Sequence, residues 1–264
     1  MDLQLKNKTA LVTGSTAGIG YAIAKLLAAE GASVIVNGRG AERVTEAVEK
    51  IKAETGNSNI KGIAADFADV DQVNNLIKEL PEVDILVNNI GIFDPKEFKD
   101  IPDEEWFKFF EVNVMSGVRL SRAYFGNMLA KNWGRIIFVS SESGVQIPAE
   151  MIHYGVTKTA QISVARGLAE LTVNTGVTVN TVLPGPTASE GVTGFVQAVA
   201  DQQGITPAEM EKEFFKSMRG TSLLKRFITT EEIANMVTYL ASPLSAATNG
   251  ATLRVDGGVI KTAF

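Results

Sequence analysis

Thr9-Ala10-Leu11-Val12-Thr13-Gly14-Ser15-Thr16-Ala17-Gly18-Ile19-Gly20 runs from a β-branched segment through a glycine turn into a helical pattern. Glycines at 14, 18 and 20 permit a tight turn and let the backbone approach a pyrophosphate. The helix that opens there offers N–H donors and positive potential at its first turn. A glycine-rich turn can also serve structure alone. The strand–turn–helix context and the N-terminal position favour a dinucleotide.

Outward from this turn, short β-branched runs alternate with amphipathic stretches. The runs span Thr9 to Thr13, Ser33 to Asn37, Ile60 to Ala65, Asp84 to Asn88, Arg135 to Ser140, Val177 to Leu183 and Ala251 to Val255. Helical patterns cover Gly18 to Glu30, Ala41 to Glu54, Val70 to Glu79, Asp103 to Lys131 and Tyr154 to Val173. Strands separated by helices imply parallel pairing with right-handed crossovers. Ile85-Leu86-Val87 and Ile136-Ile137-Phe138-Val139 are apolar on both faces, as strands covered on both sides require. The expected fold is an α/β, Rossmann-type doubly wound sheet of about seven parallel strands. One domain over residues 1–264 is expected. Pro184 to Arg226 reads as a substrate-loop insertion (185–226), with helical patterns at Val192 to Gln203 and Pro207 to Met218.

Composition narrows the function classes. A net charge of −5 provides no electrostatic footprint for nucleic acid or an anionic membrane. With no cysteine and one histidine, the chain cannot build a disulfide, thiolate or histidine-rich metal site, so no metal is expected and a zinc-dependent alcohol dehydrogenase is set aside. No apolar run approaches the roughly 18 residues of a membrane span. A cytoplasmic protein without a signal-peptide core is expected.

A second motif lies far downstream. Tyr154-Gly155-Val156-Thr157-Lys158 puts a phenol and an ammonium four residues apart, on one face if the segment is helical. A lysine charge beside a phenol favours the phenolate. A phenol so tuned can give or take a proton near neutral pH. Together with the glycine turn, this pair points to hydride transfer at a carbonyl or alcohol. His153 adjoins the tyrosine, but adjacent helical residues do not share a face, so it reads as structural or rim.

The glycine spacing, Gly-x-x-x-Gly-x-Gly, resembles the Thr-Gly-x-x-x-Gly-x-Gly of the short-chain dehydrogenase/reductase family. The resemblance extends along nearly the whole chain. Asn88-Asn89-Ile90-Gly91 is similar to the family's Asn-Asn-Ala-Gly, with Ile90 in place of alanine. Asn113 matches its catalytic asparagine, and Ser141 precedes Tyr154 by the family's usual thirteen residues. Pro184-Gly185 and Asp256-Gly257-Gly258 match its turns after strands six and seven. The resemblance implies that Tyr154 protonates the carbonyl oxygen and that Ser141 donates to the same oxygen. It also implies that Lys158 lowers the tyrosine pKa and binds ribose, while Asn113 holds a water linking Lys158 to solvent. The cofactor contacts it implies are Gly14, Ser15, Thr16, Gly18, Ile19, Gly20, Asn37, Arg39, Asp66, Phe67, Asn89, Gly91, Tyr154, Lys158, Pro184, Gly185, Thr187 and Ser189.

Cofactor choice turns on the end of the second strand, about 20 residues past the turn. NAD-preferring relatives carry an acid where Gly38 stands. Its absence, with Arg39 adjacent, favours NADP(H) over NAD(H), since a guanidinium suits a 2′-phosphate. The alternative has Arg39 solvated or stacked on adenine, and Ala17 occupies a position that is often basic in NADP-dependent relatives. Asp66 resembles the family aspartate that meets the adenine amino group, whereas Asp69 is the better candidate to cap the helix at Val70.

The substrate is expected to be a small, apolar carbonyl or alcohol. Candidate walls are Phe93, Val145, Ile147, Met151, Val192, Phe195, Val196, Phe214 and Met218. The chain resembles 3-oxoacyl-[acyl-carrier-protein] reductases most, but acyl-carrier protein is acidic and the expected rim offers few basic residues, which disfavours it as a partner. A dinucleotide-binding sensor without catalysis is the alternative of another class. A homotetramer is expected, through the two long helices and through the last strand with Val259 to Phe264.

Overall fold

The structure is a computed structural model that describes residues 2–263, with the side chain of Phe195 outside the described set. Seven parallel strands form one sheet: β1 (Thr9–Val12), β2 (Ser33–Gly38), β3 (Ile60–Ala64), β4 (Ile85–Asn88), β5 (Gly134–Val139), β6 (Val177–Pro184) and β7 (Thr252–Val255), in the order β3-β2-β1-β4-β5-β6-β7. Each strand lies within one residue of the bounds expected from its β-branched run.

Alternate residues of each strand feed opposite cores. Val12, Ile85, Val87, Ile137 and Val139 join one cluster, while Leu11, Leu86, Ile136 and Phe138 join the other. The first cluster is covered by α1 (Gly18–Ala29), α2 (Ala41–Thr55) and α9 (Thr230–Ala241). The second is covered by α3 (Val70–Glu79), α5 (Ser116–Ala130) and α6 (Ile152–Glu170). Helices on both faces explain why the inner strands are apolar throughout rather than alternating.

The sheet order reverses between β1 and β4. β2 and β4 pair with β1 on opposite sides, Leu11 lying between Ile35 and Leu86. Ligands of doubly wound sheets bind outside the carboxyl ends of strands at such a switch point. Thr13 and Asn89 meet there, the Asn89 amide N–H donating to Thr13 Oγ1 at 2.9 Å.

Two helical segments depart from the expected bounds, and one helix lies outside the expected set. The stretch from Asp103 is interrupted: α4 (Asp103–Phe110) passes through a π turn at Glu111–Met115 before α5 begins. Single π turns of this kind frequently mark functional sites. α6 ends at Glu170 because Thr172 turns its hydroxyl back onto the Ala169 carbonyl, 2.8 Å away. α9 was not among the segments anticipated. Its signal is the capping box at its start, where Thr229 and Glu232 satisfy each other's backbone N–H.

Between β6 and α9 the insertion folds into α7 (Glu190–Gln203) and α8 (Pro207–Ser217). Phe214, Phe215 and Phe227 cluster with ring centroids 5.1 Å apart and fasten α8 to the following loop. The insertion therefore carries its own apolar contacts at the edge of the switch point.

Candidate active site

The glycine turn is built by packing as well as by conformational freedom. A Cβ at Gly20 would stand 2.2 Å from the Gly14 carbonyl oxygen, so α1 can approach the turn only with glycine there. Asn89 clamps the turn from the neighbouring strand end, its amide donating to the Thr13 and Gly14 carbonyls at 3.0 and 3.1 Å. The residue preceding α1, Ala17, makes no side-chain cap, and the first turn carries no acid. The first N–H groups of α1 thus keep their donors for an anion. These features fit a dinucleotide pyrophosphate.

Two of the residues expected to touch the cofactor have side chains that face inward. Ser15 and Asn37 are fully buried and bonded to each other, with the Asn37 N–H donating to Ser15 Oγ at 2.9 Å and the Ser15 N–H to the Asn37 carbonyl at 2.8 Å. Asn37 Oδ1 also accepts the Gly14 N–H at 3.2 Å. Their task is to position the turn. Phe67 is likewise a core side chain, 1% exposed. Asp66 is half-buried and accepts the Ala68 N–H, while Asp69 caps α3 as anticipated. Arg39 is exposed just beyond β2. Gly38 before it is tight: a Cβ there would meet Thr16 Cγ2 at 2.6 Å.

The residues of the Tyr-x-x-x-Lys pair fall on α6 as the spacing implied. Lys158 Nζ lies 5.6 Å from the centroid of the Tyr154 ring, buried, and donates to the Val139 carbonyl at 3.1 Å and to Gln161 Oε1 at 3.2 Å. Desolvation pulls its pKa down to about 7. Burial pushes Tyr154 up to about 12, with the hydroxyl of Ser141 acting in the opposite sense. Desolvation is the largest influence on the tyrosine in this structure. Ser141 stands at the end of β5, 8% exposed, its Oγ accepting the Ser143 N–H at 3.1 Å.

Asn113 sits inside the π turn with its side chain fully buried. Oδ1 accepts the Ile92 N–H at 2.8 Å, and Nδ2 donates to the Ile92 carbonyl and to Thr157 Oγ1 at 3.0 and 2.9 Å. Both ends of the amide are held by protein. The side chain thereby braces the loop after β4 against α6.

Ser141, Tyr154 and Lys158 converge on one cavity of about 300 Å³. Ile19, Asn89 and Gly91 line it on the side of the turn, and Pro184, Gly185, Thr187 and Ser189 line it beyond β6. Gly14, Thr16, Gly18, Gly20 and Arg39 are not among its lining residues. Of the apolar walls anticipated, Phe93, Met151, Val192, Phe214 and Met218 line the cavity, whereas Val145, Ile147 and Val196 do not. The side chain of Phe195 lies outside the described residues.

One polar feature of this cavity was not anticipated. Arg219, just past α8, donates from Nε to Glu142 Oε1 and from Nη1 to Glu150 Oε1, both at 3.0 Å. The sequence signal was an acid next to Ser141 in Ser140-Ser141-Glu142-Ser143, and its distant arginine partner could not be read locally. His153 is fully buried, its ring 4.1 Å from that of Phe109 and 5.9 Å from Trp106, and its pKa is lowered by desolvation. It is structural.

Comparison with known proteins agrees with this geometry. A family model described as enoyl-(acyl carrier protein) reductase matches residues 14–260. The chain is 52% identical over 264 residues to the uncharacterized oxidoreductase YvaG of Bacillus subtilis (strain 168), covering 100% of both chains. It is 33% identical to a D-beta-hydroxybutyrate dehydrogenase of Cupriavidus necator, covering 96% of this chain and 98% of the relative. Its fold matches the L-sorbose reductase of Gluconobacter frateurii, solved with NADPH and L-sorbose, with a TM-score of 0.92 at 30% identity, covering 99% of this chain and 100% of that one. With the seven-stranded sheet, the glycine turn and the Tyr154–Lys158 pair, these matches place the chain in the short-chain dehydrogenase/reductase family, as an oxidoreductase acting on alcohol or ketone groups.

Proposed function

We propose that the chain is an NADP(H)-preferring oxidoreductase that interconverts a small carbonyl compound and its secondary alcohol, with Tyr154 as the proton donor and acceptor. The observation that carries this reading is the convergence of Ser141, Tyr154 and Lys158 on one cavity beside the glycine turn. The α1 N-terminus with Gly14, Thr16, Gly18 and Gly20 would hold the pyrophosphate, Asp66 the adenine side, and Asn89, Gly91, Pro184, Gly185, Thr187 and Ser189 the nicotinamide half. A bound nicotinamide supplies the hydride chemistry.

The chain's own residues orient and protonate. Tyr154 donates its phenolic proton to the carbonyl oxygen during reduction and recovers it during oxidation. Ser141 donates a hydrogen bond to that oxygen as charge develops. Lys158 sets the field under the phenol and, held by Val139 and Gln161, cannot swing away. Asn113 is a positioning residue that fixes the loop bearing Gly91 and Ile92. The apolar walls exclude water from the reacting atoms.

The NADP preference is supported by exposed Arg39, by the lack of an acid at Gly38, and by NADPH in the sorbose reductase complex. A cytoplasmic location accords with the supply of reduced cofactor. A homotetramer is supported by Phe107 and Phe110 on α4, which are 73% and 43% exposed. Val259 and Ile260, expected at the second contact, are buried within the protomer. Phe264 lies outside the described residues.

Purified protein with NADPH and a panel of ketones, sugars and acyl thioesters tests the reading by loss of NADPH absorbance. Consumption with at least one carbonyl, slower with NADH, is expected. No consumption across the panel overturns it.

A further inference from the structure

Lys158 lines the cavity without an acid partner among the described residues. Its ammonium carries three N–H donors. One goes to the Val139 carbonyl at 3.1 Å and a second to Gln161 Oε1 at 3.2 Å. The first acceptor belongs to the main chain of β5. The second is a side chain three residues further along α6, on the same face. Gln161 is 2% exposed and does not line the cavity. Its other end, Nε2, donates to the main-chain carbonyl of Asn113 at 2.5 Å. One amide therefore joins the ammonium to the π turn of Glu111–Met115.

The chemistry of that span admits few side chains. One end must accept a hydrogen bond from an ammonium, and the other must donate one to a carbonyl oxygen. A carboxylate has acceptors alone, an ammonium donors alone and an aliphatic chain neither, whereas a carboxamide has both. The partners also fix which way the amide points, since the reverse orientation would set its NH2 against Nζ and its oxygen against the Asn113 carbonyl. α6 is tied to the π turn a second time at Thr157 Oγ1, which accepts from Asn113 Nδ2 at 2.9 Å. Thr157 and Gln161 bracket Lys158, so the segment bearing the ammonium is held on both sides. The other ionisable groups lining the cavity are Tyr154, Glu142, Glu150 and Arg219, and the last three pair with one another. In the π turn Glu111 pairs with Arg119, and on α4 Glu105 pairs with Lys96. Val139 and Gln161 are thus the groups that solvate the lysine charge, and only Gln161 does so with a side chain.

We infer that Gln161 is a positioning residue of the proton-transfer site: its amide spans from Lys158 Nζ to the Asn113 carbonyl and holds the ammonium in place beside Tyr154. This rests on the carbonyl oxidoreductase reading given above. Gln161 stands outside the cavity, so it acts through Lys158 and not on the substrate. Cutting the span leaves Nζ on one acceptor and frees its flexible four-carbon stem, whereas the phenol needs the charge in one place. It also removes a hydrogen bond to the charged form, which favours the neutral amine. A carboxylate at the same position favours the ammonium. The two changes therefore act on the lysine in opposite senses, which mere loss of packing would not do.

Two variants test this. Gln161→Met keeps the length of the side chain and cuts both bonds, while Gln161→Glu restores an acceptor for Nζ. Lys158 is followed by NMR of protein isotope-labelled at the lysine ε-carbons, its signal being the one absent from Lys158→Met. Relative to wild type, its titration midpoint is expected to fall in Gln161→Met and to rise in Gln161→Glu. kcat and KM with NADPH are measured on a ketone that wild type reduces. Gln161→Met should lose about tenfold or more in kcat, with KM and NADPH affinity within a few-fold because Gln161 lies outside the cavity. Gln161→Glu should recover severalfold of that loss. A midpoint that moves the same way in both variants, or in neither, overturns the inference and leaves the oxidoreductase reading standing. So does a wild-type kcat in Gln161→Met whose folding is confirmed by NADPH fluorescence. If Gln161→Met fails to fold, Gln161→Glu decides: a raised midpoint supports the inference, and an unmoved or lowered one overturns it. The lysine titration needs no substrate, so it separates the two readings. If wild type reduces no carbonyl compound at all, the broader reading fails and the inference fails with it.

Discussion

Lys158 Nζ lies 5.6 Å from the Tyr154 ring centroid and directs its protons to the Val139 carbonyl and Gln161 Oε1. No direct hydrogen bond joins the two side chains. Burial moves the two groups in opposite directions, the lysine down to about 7 and the tyrosine up to about 12. Both shifts favour the neutral forms, as desolvation requires.

Tyr154→Phe removes the one phenol that lines the cavity. Turnover is expected to fall by at least about 10²-fold, the usual scale for loss of a general acid. NADPH affinity should stay within a few-fold, because the phosphate-binding glycines 14, 18 and 20 do not line the cavity that Tyr154 enters. Steady-state kinetics with fluorescence binding check both, and ordinary turnover in the folded variant contradicts the assignment.

Lys158 makes a signed prediction for stability. Its folded pKa lies below its unfolded value, so between about 7 and its ordinary value the unfolded chain binds more protons and stability rises with pH. Lys158→Met abolishes this contribution. Melting curves at pH 6 and pH 9, on the order of one unit or more to either side of the folded pKa, should show the variant gaining on wild type at the lower pH. A difference that is flat with pH counts against the desolvated lysine.

Cofactor choice is tested first by Arg39→Leu, which should weaken NADPH binding by roughly tenfold while NADH binding changes little. An acid at 38 is a harder change than the sequence suggests. Its Cβ would meet Thr16 Cγ2 at 2.6 Å, so Gly38→Asp should require Thr16→Ala alongside it to accept NADH without loss of stability. Equal affinity of wild type for the two cofactors refutes the preference.

Asn113→Ala strands the Ile92 N–H and carbonyl together with Thr157 Oγ1. A loss of about 1–3 kcal/mol is expected from unsatisfied buried groups. Denaturant unfolding measures it, and Asn113→Asp should restore the Ile92 N–H partner without the two donated bonds.

Exposed Phe107 and Phe110 predict self-association of the α4 face. Light scattering of dilute protein should report a tetramer, and Phe107→Glu should shift it toward smaller species. A monomer in wild type defeats this prediction.

Local reading reached the strands and the glycine turn because each is encoded over a few consecutive residues. β-Branched runs set the strands, and glycines 14, 18 and 20 set the turn. Tyr154 and Lys158 were legible for the same reason, since four residues of helix suffice to align them. Family spacing added Asn113 and Ser141. The capping box of α9 is equally local, set by Thr229 and Glu232 three residues apart.

Tertiary structure decided what depends on distant partners. Glu142 and Arg219 stand 77 residues apart, and only the return of the insertion over β5 brings acid, base and cavity together. Asn113 became a brace because Ile92 arrives within reach of both ends of its amide. Ser15 and Asn37 turned inward to each other where the first two strands meet. Periodicity specifies which face of an element is apolar, but the partner of a buried polar group is chosen by packing, where the cost of leaving it unpaired outweighs local preference.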